Sequence, residues 1–316
     1  MVFLYTYLTL LPSSDTIQYE GINSIMLDLK TLRNKDILNV LKSRGKEQSV
    51  SKVYAIANQK GGVGKTTTTR NLGAALVERG RTVLLIDLDQ QGSLTAYCGI
   101  DPEALNSSIY NVFASYIDFN HEPAPLSPII SITSGLHLVP ANEELAALDL
   151  ELIHAYSREE ILKKALAPVK AQYDYILIDC PPNLSLLVVN ALVAATNVIV
   201  TLQTDYLATR GVNRLIKIIN AVQTRLNPEL TIDGILLTMA DLRTRHAKTI
   251  IERTRTNFEN KILVFDTITK LYAPLKDTPI IGQSILDLDS TSQASQSFRA
   301  LAKEIESLPF TMSGGN

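Results

Sequence analysis

The sequence is poor in the features that commit a chain to an oxidising or membrane setting. Its 316 residues include only two cysteines, Cys98 and Cys180, far apart and in no C-x-x-C pair. Neither a disulfide framework nor a zinc site is built from such a pair, and a reducing cytoplasm is the expected compartment. Charge of one sign is also missing: 30 Lys and Arg stand against 32 Asp and Glu, a net charge of -2. Overall attraction to nucleic acid is thereby excluded, so any basic surface must be regional. The apolar N-terminal stretch "MVFLYTYLTLLPSSD" has no basic leader and no small-residue cleavage site, which argues against a secretory signal. Leu184 to Leu202 is uncharged and almost long enough to span a bilayer. It reads instead as a helix up to Ala194, a break at Thr196-Asn197 and a strand buried on both faces. No internal repeat is present.

What is there is an ordinary globular composition, 46% hydrophobic and 20% charged, with room for a sizeable core. From Val53 onward, β-rich apolar runs alternate with helix-length segments. The runs are Val53 to Asn58, Thr82 to Asp89, Leu136 to Pro140, Tyr175 to Pro182, Asn197 to Thr204 and Ile232 to Met239. Such continuous hydrophobicity predicts βαβ crossovers and a mostly parallel sheet covered on both faces, an α/β fold of three layers, α/β/α. Ligands in such sheets sit at the carboxyl ends of the strands, which places Asn58, Asp89, Asp179 and Gln203 along one edge. Residues 1–52 read as an N-terminal extension with short helices between Leu27 and Gly45. Met26 heads that stretch, so the residues before it read as an upstream addition. Asn120 to Pro128 is expected to be a surface loop, residues 53–309 the main domain and 310–316 a tail.

The edge carries a phosphate-binding pattern. "NQKGGVGKTTTT", Asn58 to Thr69, ends as a P-loop does, although Gln59 stands where the usual pattern has glycine and Lys60 adds a charge. A strand precedes the turn, and a helix is expected from about Lys65 to Arg79, closed by Gly80. Its first-turn amides favour an anion. Gly61, Gly62 and Gly64, with Val63 inside the same loop, let backbone N–H groups turn inward around phosphates. Lys65 is placed to reach the β- and γ-phosphates of ATP, and the Thr66 hydroxyl to ligate Mg2+. Asp179, closing "YILID", is a candidate Mg2+ carboxylate beside the loop. Asp87 and Asp89 are expected to share a face, one turned toward metal and the other positioning the attacking water.

Taken in order, "KGGVGKTTTTRNLGAAL", "RTVLLIDLDQQG", "YILIDCPP", "LQTDYLATRG" and "GILLTMADLRT" resemble the ParA-type partition ATPases of the deviant Walker A superfamily, which also contains MinD. The resemblance covers roughly Lys52 to Ser307. It implies a P-loop NTPase fold and a homodimer that encloses two ATP molecules. By the same resemblance Lys60 crosses to the partner's nucleotide, while Lys65 and Thr66 serve their own. Thr67 contacts phosphate, Asp89 positions the hydrolytic water and Asp179 is the Walker B acid. Slow, partner-stimulated hydrolysis, nonspecific double-stranded DNA and a ParB-like adaptor are implied as well, on a cytoplasmic, nucleoid-associated protein. Two departures stand out: Gln90 occupies the place of a common proline, and Leu271 to Ile280 keeps only part of the family's proline-containing segment. The N-terminal extension is unlike the long winged-helix type of some plasmid relatives, so site-specific autorepression is not expected.

Accessory features separate the classes within that superfamily. Thr209 to Lys270 holds eleven basic and six acidic residues, an excess of five. Arg214, Lys217, Arg243, Arg245 and Lys248 are the DNA-binding candidates within it. The alternative, a MinD-like membrane-associated or organelle-positioning ATPase, calls for a terminal amphipathic helix with basic and apolar faces. Here the last helix carries Phe298, Leu301, Ile305 and Leu308 alongside Glu304 and Glu306, and is expected to pack on the core, with no stable membrane insertion. A cluster shared between subunits through Cys98 and Cys180 is not supported by their surroundings; Cys180 reads as a small buried residue.

Overall fold

β1 (Lys52–Ala57) runs through the middle of a sheet with both faces buried: Val53, Ala55 and Ala57 pack into one hydrophobic cluster, Tyr54 and Ile56 into the other. The computed structural model describes residues 51–118, 122–123, 125–204 and 208–308. The chain divides between Ser49 and Val50. The expectations for the N-terminal extension, Met26 and the 310–316 tail fall outside the described residues, as does part of the Asn120 to Pro128 loop.

After β1 come α1 (Lys65–Glu78), β2 (Val83–Asp87), α2 (Ser93–Tyr97), α3 (Ile109–Ile117), β3 (Ile130–Thr133) and β4 (Leu136–Val139). Then follow α4 (Ile161–Leu166), β5 (Tyr175–Asp179), α5 (Leu186–Ala194), β6 (Asn197–Gln203), α6 (Ala208–Arg225), β7 (Thr231–Ala240) and α7 (Arg245–Phe258). β8 (Val264–Lys270), α8 (Thr278–Ile281), α9 (Ile285–Leu288) and α10 (Gln293–Ser307) complete the described chain. The strand order is β3-β4-β2-β5-β1-β6-β7-β8. All neighbouring pairs are parallel except β3 with β4. Six of the eight strands are the six apolar runs of the sequence; β3 and β8 are additional.

Alternation along the central strands explains the three layers, because successive side chains point to opposite faces. Leu84, Ile86, Ile176, Ile178, Val198 and Val200 join the cluster with α3, α4, α5 and α6. Leu85, Leu177 and Ile199 meet α1, α9 and α10 on the other side. Each such aliphatic side chain contributes about 1.5–3 kcal/mol on burial. Helix α1 depends on that packing: its threonines Thr66 to Thr69 are β-branched and poor helix formers, yet Leu72, Ala75 and Leu76 are fully buried. Gly73 lets α1 approach the sheet, since a Cβ there would meet Leu85 Cδ2 at 2.8 Å. α10 covers the same face with Phe298, Leu301 and Ile305, each at most 1% exposed. Its apolar stripe is therefore spent on the core. No described helix is long and apolar enough to cross a membrane.

Candidate functional site

The loop between β1 and α1 is tied down from two neighbouring strands. Asn58 Nδ2 donates to the Thr201 carbonyl on β6, and Asn58 Oδ1 accepts the Lys60 N–H at 2.9 Å. From β7, the Thr238 hydroxyl donates to the Val63 carbonyl at 2.8 Å. Gly62 and Gly64 take positive φ, 67° and 83°, which lets the chain turn into the helix. Gly61, Gly62, Gly64, Lys65, Thr66 and Thr67 line a cleft of about 460 Å³ with Asp89. Val63 belongs to the loop but its side chain is buried below it, so its part is played by the backbone. Lys65 is only 6% exposed, and its Nζ donates to the Lys60 carbonyl at 3.3 Å. Lys60 itself is exposed, and its Nζ donates to Gln203 Oε1 at 3.3 Å. The two lysines of the loop therefore face different surroundings.

The carboxylates divide equally clearly. Because β5 lies between β2 and β1, Asp179 is in register with Ile56 on one side and with Asp87 on the other. Asp179 is 1% exposed, and neither carboxylate oxygen has a hydrogen-bond partner. Burial and then the Asp87 charge push its carboxyl well above the usual range, opposed by the Thr66 hydroxyl and Lys65. Asp87 is fully buried, and burial raises it to about 6, against the hydroxyl and N–H of Thr95. Both Thr95 groups donate to Asp87 Oδ2 at 2.8 Å, and the Asp89 N–H donates to Oδ1 at 3.1 Å.

Of the pair Asp87 and Asp89, Asp89 lines the cleft and Asp87 lies buried behind it. β2 ends at Asp87, Leu88 turns into the core, and the Asp89 N–H points back at Asp87. Asp87 thus shapes the turn that presents Asp89, and the carboxylate with free oxygens is Asp179. That orphaned, buried pair of oxygens beside Thr66 fits a Mg2+ ion with a phosphate chain. Among the described residues no group of three or more His, Cys, Asp or Glu could hold a metal by itself. A site that also draws ligands from a threonine and a nucleotide is consistent with that.

Ser93, Ala96 and Tyr97 from α2, Met239 near the end of β7 and Pro279 from α8 also line the cleft, and sequence gives none of them a role in the site. Tyr97 is held by Asn71, whose Nδ2 donates to the phenol at 3.1 Å, and by the Thr278 hydroxyl. A larger groove of about 720 Å³ lies between α6 and the end of α7 and contains none of the phosphate-loop residues.

The basic candidates lie along α6, on α7 and in the turn before α7. β6, β7 and β8 are adjacent and parallel, so their right-handed crossovers put α6 and α7 on one face with N-termini at the carboxyl edge of the sheet. Arg214, Lys217, Arg243, Arg245 and Lys248 are all exposed. Arg243 makes a bidentate contact with Asp241, at 2.8 and 2.9 Å. Thr244 caps α7 by accepting the Ala247 N–H at 3.2 Å. Both cysteines are buried, and burial pushes the Cys98 thiol up to about 12.

Comparison with known proteins finds related chains over most of the sequence. The family model AAA_31, described as AAA domain, matches residues 51–232. The sporulation initiation inhibitor protein Soj of Bacillus subtilis is 40% identical over 258 residues, 81% of this chain and 98% of that protein. The chromosome partitioning protein ParA of Myxococcus xanthus is 38% identical over 259 residues, 81% of this chain and 88% of that protein. Among solved structures, a cobyrinic acid a,c-diamide synthase from Mycobacterium smegmatis with bound ADP and magnesium superposes with a TM-score of 0.69. It is 36% identical and covers 80% of this chain and 93% of its own.

Proposed function

This chain belongs to the ParA-type family of P-loop ATPases, and we propose from that membership that it is an ATP-dependent dimerising switch. In this reading the ATP dimer binds double-stranded DNA without sequence preference and partitions or positions a DNA cargo through a ParB-like adaptor. ATP and Mg2+ are its cofactors, hydrolysis is slow until a partner stimulates it, and the protein is cytoplasmic and nucleoid-associated. The observation that carries the reading is the division of labour between the loop's lysines. Lys65 lines its own cleft, whereas Lys60 is exposed and does not.

Lys65 and the loop amides bind the phosphates, and Thr66 and Asp179 hold the metal. A bound Mg2+ supplies charge neutralisation across the terminal phosphates. Asp89, presented by the Asp87–Thr95 turn, orients water. Lys60 adds positive charge at the partner's phosphates, so nucleotide state and dimerisation become linked. The exposed basic residues of α6 and α7 supply phosphate contacts to DNA. The burial of the α10 apolar stripe supports DNA over a membrane surface as the partner.

The test is Lys60→Ala, followed by light scattering and by DNA binding with and without ATP. Nucleotide binding is expected to survive in part, with ATP-dependent dimerisation and DNA binding lost. An unchanged dimer would remove the cross-subunit role.

A further inference from the structure

The geometry points to Tyr97 as a positioning residue for the wall of the cleft that faces the nucleoside: its phenol, anchored on Asn71 of α1, holds Thr278 and thereby Pro279 at the bound nucleotide. The inference rests on the reading above that ATP occupies this cleft. The phosphate loop takes up one end of it. Beyond the loop, Ala96, Tyr97, Pro182, Met239 and Pro279 form the wall together with polar residues that follow Asp89. A largely apolar wall beside a phosphate site suits a base and its sugar.

Pro279 sits on α8, a helix with almost no apolar anchor. Thr278 is its one buried residue, while Ile280 and Ile281 are 85% and 50% exposed. What fixes α8 is a chain of hydrogen bonds out of water. Asn71, fully buried, donates through Nδ2 to the Tyr97 phenol at 3.1 Å. The Thr278 hydroxyl spends its proton on the Leu275 carbonyl at 3.0 Å, so the phenol is the donor in the Tyr97–Thr278 bond. Both hydroxyls thus donate once and accept once, and such buried chains strengthen their members. Asn71 Nδ2 also donates to the Thr67 carbonyl at 2.8 Å, and Asn71 Oδ1 accepts the Ile285 N–H at 2.8 Å. Residues 278 and 285 are therefore tied to one carboxamide, on the helix whose first turn lines the phosphate end. Between them, Gly282 abuts Gly99 just after α2, where a Cβ on Gly282 would meet Gly99 Cα at 2.6 Å. The wall and the phosphate loop keep one spacing as a result. A ligand gains from that spacing only if it carries a base and sugar to meet the wall; a bare phosphate chain does not.

The experiment measures two affinities of the full chain by calorimetry with Mg2+, for a non-hydrolysable ATP analogue and for inorganic tripolyphosphate. Tyr97→Phe removes the phenol and keeps the ring; Thr278→Val removes the hydroxyl and keeps the volume. Each is expected to weaken the ATP analogue about ten-fold and tripolyphosphate by less than about two-fold. Thr278→Ser, which keeps the hydroxyl, should restore analogue affinity to within about two-fold of the parent. The double variant Tyr97→Phe with Thr278→Val should bind no more weakly than Thr278→Val alone, because both changes break the same bond. Equal losses for the two ligands would mean that the chain merely supports the fold and would overturn the inference. Parental analogue affinity in Tyr97→Phe and Thr278→Val, or additive losses in the double variant, would overturn it as well while leaving ATP in the cleft. A parent that binds no ATP analogue would remove the reading on which the inference rests.

Discussion

Asp87 and Asp179 are direct register partners on neighbouring parallel strands, and both are buried at the floor of the cleft. Two adjacent carboxyls out of water repel when both are charged, and Lys65 offsets this at Asp179 only in part. Asp179→Asn is therefore expected to stabilise the nucleotide-free protein at pH 8 by about 1–3 kcal/mol. The same change should remove the Mg2+ dependence of nucleotide affinity. Thermal melts with and without Mg2+ and ATP measure both effects. An unchanged or lower melting temperature in the free protein would count against the repulsion.

Thr95 is the hinge of the turn that follows. Its hydroxyl donates to Asp87 at 2.8 Å and accepts the Ala141 N–H at 2.9 Å, all within the core. Thr95→Val keeps the volume but removes one of the two donors to Asp87 Oδ2 and strands the Ala141 amide, at a cost of about 1–3 kcal/mol. Asp89 then loses its fixed anchor, so ATP turnover should fall several-fold more than nucleotide affinity. Thr95→Ser should restore both. Urea midpoints and steady-state turnover give the readouts, and equal turnover in the Val and Ser variants would refute the positioning role.

These two sites mark the boundary of what the sequence makes legible. Six strands could be read directly because each is a continuous apolar run, buried on both faces. β3 alternates half-buried and exposed residues at the sheet edge, and β8 carries Asp266 and Lys270, so neither has that signature. The phosphate loop was legible because glycine, lysine and threonine act there in chain order. Thr95, Thr238, Tyr97 and Pro279 reach the site only through packing between distant segments, and no local pattern announces them. Leu88 joins Leu84 and Ile86 in one buried cluster, as the alternation of the sequence implies, whereas the Thr95 groups that hold Asp87 come from a later segment and leave no local signal.

Asp89 is half-exposed at the cleft wall, and its Oδ1 accepts the Gln91 N–H at 3.1 Å. In the proposed mechanism it orients water and does not bind the nucleotide. Asp89→Ala should lower phosphate release by about 100-fold and leave the ATP dimer trapped on DNA. Single-turnover phosphate release and retention on immobilised DNA test this. Hydrolysis at the parental rate would sink the assignment.

Arg243 is exposed but engaged by Asp241, so the two must part before the guanidinium can grip a phosphate. Asp241→Asn should therefore strengthen DNA binding a few-fold at low salt. Replacing Arg243 and Arg245 with alanine should weaken binding to every sequence equally and reduce the logarithmic salt slope by about 2. Fluorescence anisotropy across a salt series on two unrelated duplexes distinguishes these outcomes. A sequence-selective loss would contradict nonspecific phosphate contact.

Glu306 on α10 receives both Arg79 and Arg81 from the end of α1, closing the layer that covers the phosphate helix. Burial pushes its carboxyl up, but the hydrogen bonds from Arg81 and Arg79 outweigh it and leave the group below the usual glutamate range. A lowered carboxyl contributes stability that is present above its unfolded pKa and is lost as pH falls through the folded value. Glu306→Gln should therefore cost about 1 kcal/mol at pH 7 and almost nothing at pH 3. Parent and variant stability curves should converge on acidification, with the parent showing the steeper loss below pH 5. Parallel curves across that range would mean that the two arginines contribute packing and not charge.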